Sequence, residues 1–161
     1  MKRREIRELV IKALFAAEAE KGEALRQFSY ITGDGEMSGC EGEEAGALLS
    51  KTEDAYARRL ITGLSSHLDE IDGLIRAYSV DWDLERLGGV ERNILRLGLY
   101  EMQFDEKLPP AIVINEALDM IKKFADSASS KFVNGILGRK AEELKISDAG
   151  GVVVVPHYRE G

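Results

Sequence analysis

The chain has 161 residues, enough for one domain or two small ones, and 44% hydrophobic, 32% charged and 7% aromatic residues place it among water-soluble globular proteins. Its longest aliphatic run, Val152 to Val155, is far shorter than the roughly 18 apolar residues of a spanning helix, so no membrane insertion is expected. Charges at Glu5, Arg7, Glu8 and Lys12 interrupt any signal-peptide core after Met1-Lys2-Arg3-Arg4, and a cytoplasmic location is expected. The single cysteine, Cys40, excludes an internal disulfide and a cysteine-rich zinc site.

The net charge of −7 is unevenly distributed: residues 1–12 carry +3 and residues 34–54 carry −6. A basic segment on an otherwise acidic body is a polarity that can orient an anionic ligand.

The period is helical almost throughout. Ile6, Leu9, Val10, Ala13, Leu14 and Ala17 predict an amphipathic helix over about 3–21, ended by Gly22, with the basic residues on its other face. A short helical piece with Leu25 and Phe28 follows. Residues 32–46, rich in Gly, Glu and Asp, read as an acidic, mobile surface loop. Helix resumes over about 44–65 through Leu48, Leu49, Tyr56, Leu60, Ile61 and Leu64, with Thr52 as a candidate cap, and again over 67–79 through Leu68, Ile71, Leu74, Ile75 and Tyr78.

Asp81-Trp82-Asp83 reads as a turn, with Trp82 and Leu87 as buried anchors. The helix over 90–104 is so densely apolar that it is expected at the centre. Ile112, Val113, Ala117, Leu118, Ile121 and Phe124 predict a helix over about 110–125, with Pro110 in its first turn. Phe132, Val133, Ile136, Leu137, Ala141 and Leu144 predict a last one over 128–144, capped by Ser127 or Ser129. The class is all-α, built on helix packing. Residues 146–161 form a separate tail, read as frayed rather than as an added strand.

No catalytic constellation is visible. His67 reads as a solvated surface group rather than a ligand, His157 falls in the tail, and Cys40 lacks a base. Neither Gly33-Asp34-Gly35 nor Gly88-Gly89 fits a phosphate loop. The chain is read as a non-enzyme with no cofactor and no metal. Arg3, Arg4 and Arg7, at i, i+1 and i+4, offer guanidinium forks for phosphates or bases. A solvated face neutralised by Glu5 and Glu8 fits the same spacing.

Taken together, several segments resemble the NusB family of transcription antitermination factors. They are Arg3-Arg4, Arg7-Glu8, Ala13-Leu14-Phe15, Trp82, Leu84-Glu85-Arg86-Leu87, Val90-Glu91-Arg92, Ile94 to Leu97 and Tyr100-Glu101. Pro109, Ile114-Asn115-Glu116-Ala117, Lys122 to Phe124 and Lys131 to Leu137 continue the likeness, which covers residues 3–144. The resemblance implies two small packed helical bundles in an RNA-binding domain over 1–145. It implies a heterodimer with the small-subunit ribosomal protein NusE, binding of the boxA element of nascent RNA, and entry into an antitermination complex on RNA polymerase, notably during ribosomal RNA synthesis.

By position, Lys2, Arg3, Arg4 and Arg7 match the basic motif, Phe15 an aromatic position on that helix, Lys131-Phe132 the RNA-binding rim, and Glu91 a polar position near it. For both phenylalanines, base stacking and core burial stay open; Asn115 and Asn134 are expected to bond backbone where helices meet. The acidic loop and the tail depart from the family pattern, and the loop is a candidate polyanion masking the RNA site. Homodimerisation stays open. So do two other classes: a protein-binding helical adaptor, and the RNA-binding appendage of ribosomal RNA methyltransferases, for which this chain lacks a methyl-donor domain.

Overall fold

The computed structural model describes residues 2–33, 49–79, 87–105, 108–124 and 127–148. Among them every regular element is a helix, in the order α1 (Arg3–Glu20), α2 (Ala24–Thr32), α3 (Lys51–Ser66), α4 (Leu68–Tyr78), α5 (Gly89–Phe104), α6 (Pro110–Phe124) and α7 (Ser127–Asp148). The all-α expectation therefore holds. The chain divides into two compact units, Met1–Ser66 and His67–Gly161. Most of the acidic loop, the Trp82 turn, Cys40, His157 and the end of the tail lie outside the described residues.

In the first unit α1 packs on α2 and α3. Its buried stripe is Ile6, Val10, Ile11, Ala13, Leu14 and Ala17, which meets Phe28 of α2 and Ala57, Leu60, Ile61 and Leu64 of α3 in the core. Two helix ends differ from the sequence reading. The left-handed residue that stops α1 is Lys21 (φ 55°, ψ 39°), whose N–H donates to the Ala17 carbonyl, and Gly22 only follows it. A lysine there bears a steric strain that glycine would avoid. At α3 the cap is Ser50 rather than Thr52: the Glu53 N–H donates to Ser50 Oγ at 3.2 Å, and the Ser50 N–H donates to Glu53 Oε1 at 2.9 Å. The two residues thus satisfy each other's orphan donors.

In the second unit α5 is the middle helix, packed against α4, α6 and α7. Every residue from Asn93 to Met102 is buried. Gly98 permits the closest approach: a Cβ there would stand 3.1 Å from Leu137 Cδ2 of α7 and 3.7 Å from Val113 Cγ1 of α6. Because α5 is covered all round, its polar residues must find partners inside. Arg96 forks onto Asp72 of α4, Nε to Oδ1 at 2.8 Å and Nη2 to Oδ2 at 2.9 Å, and its Nη1 donates to Asn93 Oδ1 at 3.3 Å. Asn93 Nδ2 in turn donates to the Gly89 carbonyl at 2.8 Å.

A second tie joins α4 to α7, where the Tyr78 hydroxyl donates to Glu143 Oε1 at 2.6 Å. Burial, reinforced by that carboxylate, pushes the Tyr78 phenol above its ordinary range.

Four residues assigned to apolar stripes, Leu25, Leu68, Ile112 and Phe124, are instead between 36% and 44% exposed. His67 is half-buried rather than solvated, its ring centre 4.0 Å from that of Phe104. Helix α7 begins at Ser127, so Ser129 lies within its first turn rather than capping it, and it runs on to Asp148, past the expected end at 144.

Asp72→Ala leaves the Arg96 charge buried without its carboxylate and is expected to destabilise by about 3 kcal/mol, a fall in thermal midpoint on the order of 10 °C. For Tyr78, the folded chain holds the phenol proton to higher pH than the unfolded chain does. Its contribution is therefore complete below about pH 10 and lost as pH rises further. Thermal midpoints measured from pH 8 to 11.5 should fall less steeply above pH 10 in Tyr78→Phe than in the parent.

Candidate nucleic-acid interface

Burial, more than residue type, decides which of the basic side chains on α1 can meet a ligand. At about 100° per residue, Ile11 and Leu14 each lie within about 40° of Arg7. Ile11 and Leu14 are buried, and Arg7 is buried with them, only 2% exposed. This corrects the expectation of three guanidiniums open to solvent. The i, i+4, i+7 relation that buries Arg7 is present in the sequence, masked by the charge of the residue.

Arg4 and Phe15, eleven positions apart, lie within about 20° of each other at the margin of the buried stripe, next to Ile11, and about 16 Å apart along the axis. Arg4 is exposed, Lys12 between them is exposed, and Phe15 is 42% exposed, so its large ring sits in water rather than in the core. Lys12 belongs to this face, although sequence reasoning counted it only as charge. Its exposure follows from its place about 120° round the helix from Ile6 and away from the buried stripe.

The first turn adds a second feature. Lys2 is the N-cap residue of α1, and its backbone N–H donates to Glu5 Oε1 at 3.0 Å. Glu5 thus caps the helix end. Lys2, Arg3 and Arg4 are exposed in the turn where the helix dipole is positive. Cations there are disfavoured by about 0.3 to 1 kcal/mol each, whereas an anion is favoured. A phosphate placed at this end would meet both the cationic side chains and the positive end of the helix dipole.

The remaining predicted residues lie in the second unit. Glu91, in the first turn of α5, is half-buried and accepts a hydrogen bond from Ser129 Oγ at 3.2 Å. Ser129 is in the first turn of α7, two residues before Lys131. Lys131 is exposed and Phe132 half-buried. Glu91 therefore ties down the helix end that carries these two side chains. Asn115 and Asn134, expected at helix contacts, are both exposed; the buried amide is Asn93, whose burial follows from the all-round coverage of α5. Among the described residues no cluster of His, Cys, Asp and Glu is placed to hold a metal ion. No helix among them is long and apolar enough to cross a membrane.

An all-helical protein of two units, with a cationic and aromatic strip along its first helix, is the class that this geometry defines. Residues 4–142 match the model of the NusB family, and the chain belongs to that family. It is 38% identical over 143 residues to a transcription antitermination protein NusB of Desulforudis audaxviator, covering 89% of this chain and 95% of that protein. A NusB of Heliobacterium modesticaldum is 39% identical over 145 residues, covering 90% of this chain and 65% of the longer relative.

Among solved structures, NusB of T. maritima superposes with a TM-score of 0.74 at 36% identity, covering 89% of this chain and 92% of that one. A crystal structure of antitermination factors NusB and NusE in complex with dsRNA superposes with a TM-score of 0.68 at 28% identity, covering 87% and 96%.

Arg7→Ala should destabilise by about 2 kcal/mol through loss of its buried stem, whereas Arg4→Gln should stay within about 0.5 kcal/mol of the parent. Urea unfolding of the two variants separates the buried arginine from the open one.

Proposed function

We propose that this chain is an antitermination factor that binds boxA-containing single-stranded RNA together with ribosomal protein NusE and joins an antitermination complex on RNA polymerase, notably in ribosomal RNA transcription. It acts by binding, without catalysis, in the cytoplasm. The observation that carries the reading is the open line of Arg4, Lys12 and Phe15 on α1, continuous with the cationic first turn. The complex of NusB and NusE with dsRNA, formed by a relative of the same fold, supports it.

Each residue then has a distinct part. Lys2, Arg3, Arg4 and Lys12 neutralise phosphates, which gives salt-sensitive affinity with little sequence information. Phe15 offers a face on which an unpaired base stacks, a contact worth about 1 to 3 kcal/mol. Lys131 and Phe132 repeat the pairing of cation and ring on α7. Glu91 repels phosphate and acts instead by holding Ser129, which orients the turn before Lys131. Arg7 acts through the packing of α1, because a side chain so buried cannot reach a strand in solvent.

Titration of boxA RNA with and without NusE across a salt series tests this. With about four phosphates neutralised, the slope of log affinity on log salt should be near −3. Changing Arg4 and Lys12 together to Gln should reduce its magnitude by about 1.4 and weaken binding at every salt concentration. A flat slope in the parent would point to a protein-binding adaptor instead.

A further inference from the structure

We infer that the RNA-contacting surface of the first unit extends from α1 onto α3, where Tyr56 and Arg59 form with Arg3 a site for one nucleotide of a single strand. The inference rests on the RNA-binding reading above and assigns it two further residues. The Arg3 guanidinium stands 4.0 Å from the centre of the Tyr56 ring, and that of Arg59 stands 5.4 Å from the same centre. Arg3 and Arg59 are exposed and Tyr56 is half-buried, so the group lies at the surface of the unit.

The neighbouring arginine shows that this placement is selective. Arg58 turns the other way: its Nε donates to Asp54 Oδ2 at 2.8 Å, its Nη2 donates to Ser29 Oγ at 3.0 Å, and its guanidinium lies 5.3 Å from the Phe28 ring centre. Of two consecutive arginines, one ties α3 to α2 and the other joins the ring that faces Arg3.

The chemistry of the group fits a nucleotide. An aromatic face attracts a guanidinium and fixes its plane, and a guanidinium so oriented is of a kind that forks onto oxyanions. A planar base can stack on a tyrosine ring or on a guanidinium plane, as single-stranded RNA does on such side chains. An acidic peptide would answer the two charges but brings no flat group to the stack. A nucleotide supplies both.

The test uses the full chain and the same boxA RNA. Arg59→Gln should weaken binding several-fold at low salt and lower the magnitude of the salt slope by about 0.7. Tyr56→Leu should weaken it about 5-fold or more. Arg58→Gln removes the same charge one residue away and should leave the slope unchanged, which excludes a mere effect of net charge. Because Tyr56→Leu removes a half-buried ring, its thermal midpoint is measured alongside, and Arg59→Gln decides the matter if that variant is unstable.

RNA affinity and slope unchanged in Arg59→Gln, with Arg4→Gln still impaired, would overturn the extension onto α3 and leave the proposed function standing. Failure of the parent chain to bind RNA would overturn both. Weakened NusE binding with RNA binding intact would assign the surface to the protein partner and overturn the inference.

Discussion

The rotational setting of α1 about its own axis is the constraint on which the candidate interface depends. A helix presents a fixed set of directions, so burying Ile6, Val10, Ile11 and Leu14 leaves no freedom over what faces water. Lys12 is displayed because the side away from it is committed to α2 and α3, and Arg4 and Phe15 are exposed at the margin of that buried side. Arg7 shares the committed side, and its long apolar stem lets a charged residue sit among aliphatic neighbours. A basic motif on such a helix therefore divides between packing and display, and its members are not equivalent.

The second unit solves a different problem. Its central helix is covered on all sides, which would leave any charge on it stranded, yet it carries Arg96 and Asn93. Both are satisfied by geometry fixed within the unit: the bidentate partner on α4, and the carbonyl one turn back on α5. Apolar packing alone specifies little about the relative rotation of two helices. A forked ion pair between α4 and α5 accepts one rotation and one register. The stable placement of α7, with Glu91 bonded to Ser129, keeps Lys131 and Phe132 on a rigid support.

Much of this was legible in the residues, and the misses share a cause. Helix number and order followed from apolar spacing, since a period of 3.6 survives whatever tertiary contacts come later. The central place of α5 followed from its density of large aliphatic residues. What failed were inferences from residue type alone: arginine taken as exposed, glycine as the helix stop, threonine as the cap, asparagines as buried amides. Position overrode type each time. Arg7 is set by its spacing to Ile11 and Leu14, the cap by the reciprocal bonding of Ser50 and Glu53, and the buried amide by the coverage of α5. The aromatic and cationic group at Tyr56 lay beyond reach because it joins residues more than fifty positions apart, and no local pattern encodes that meeting.

The crowding of positive groups at the beginning of α1 bears on motion as well as on binding. Cationic side chains that oppose the dipole give back part of the stability that the Glu5 cap supplies to this turn. A polyanion that settles on this end favours the wound form and suppresses fraying by the same free energy that it gains from the ordered turn. Recognition of an anion and local helix formation would in this way be two faces of one equilibrium.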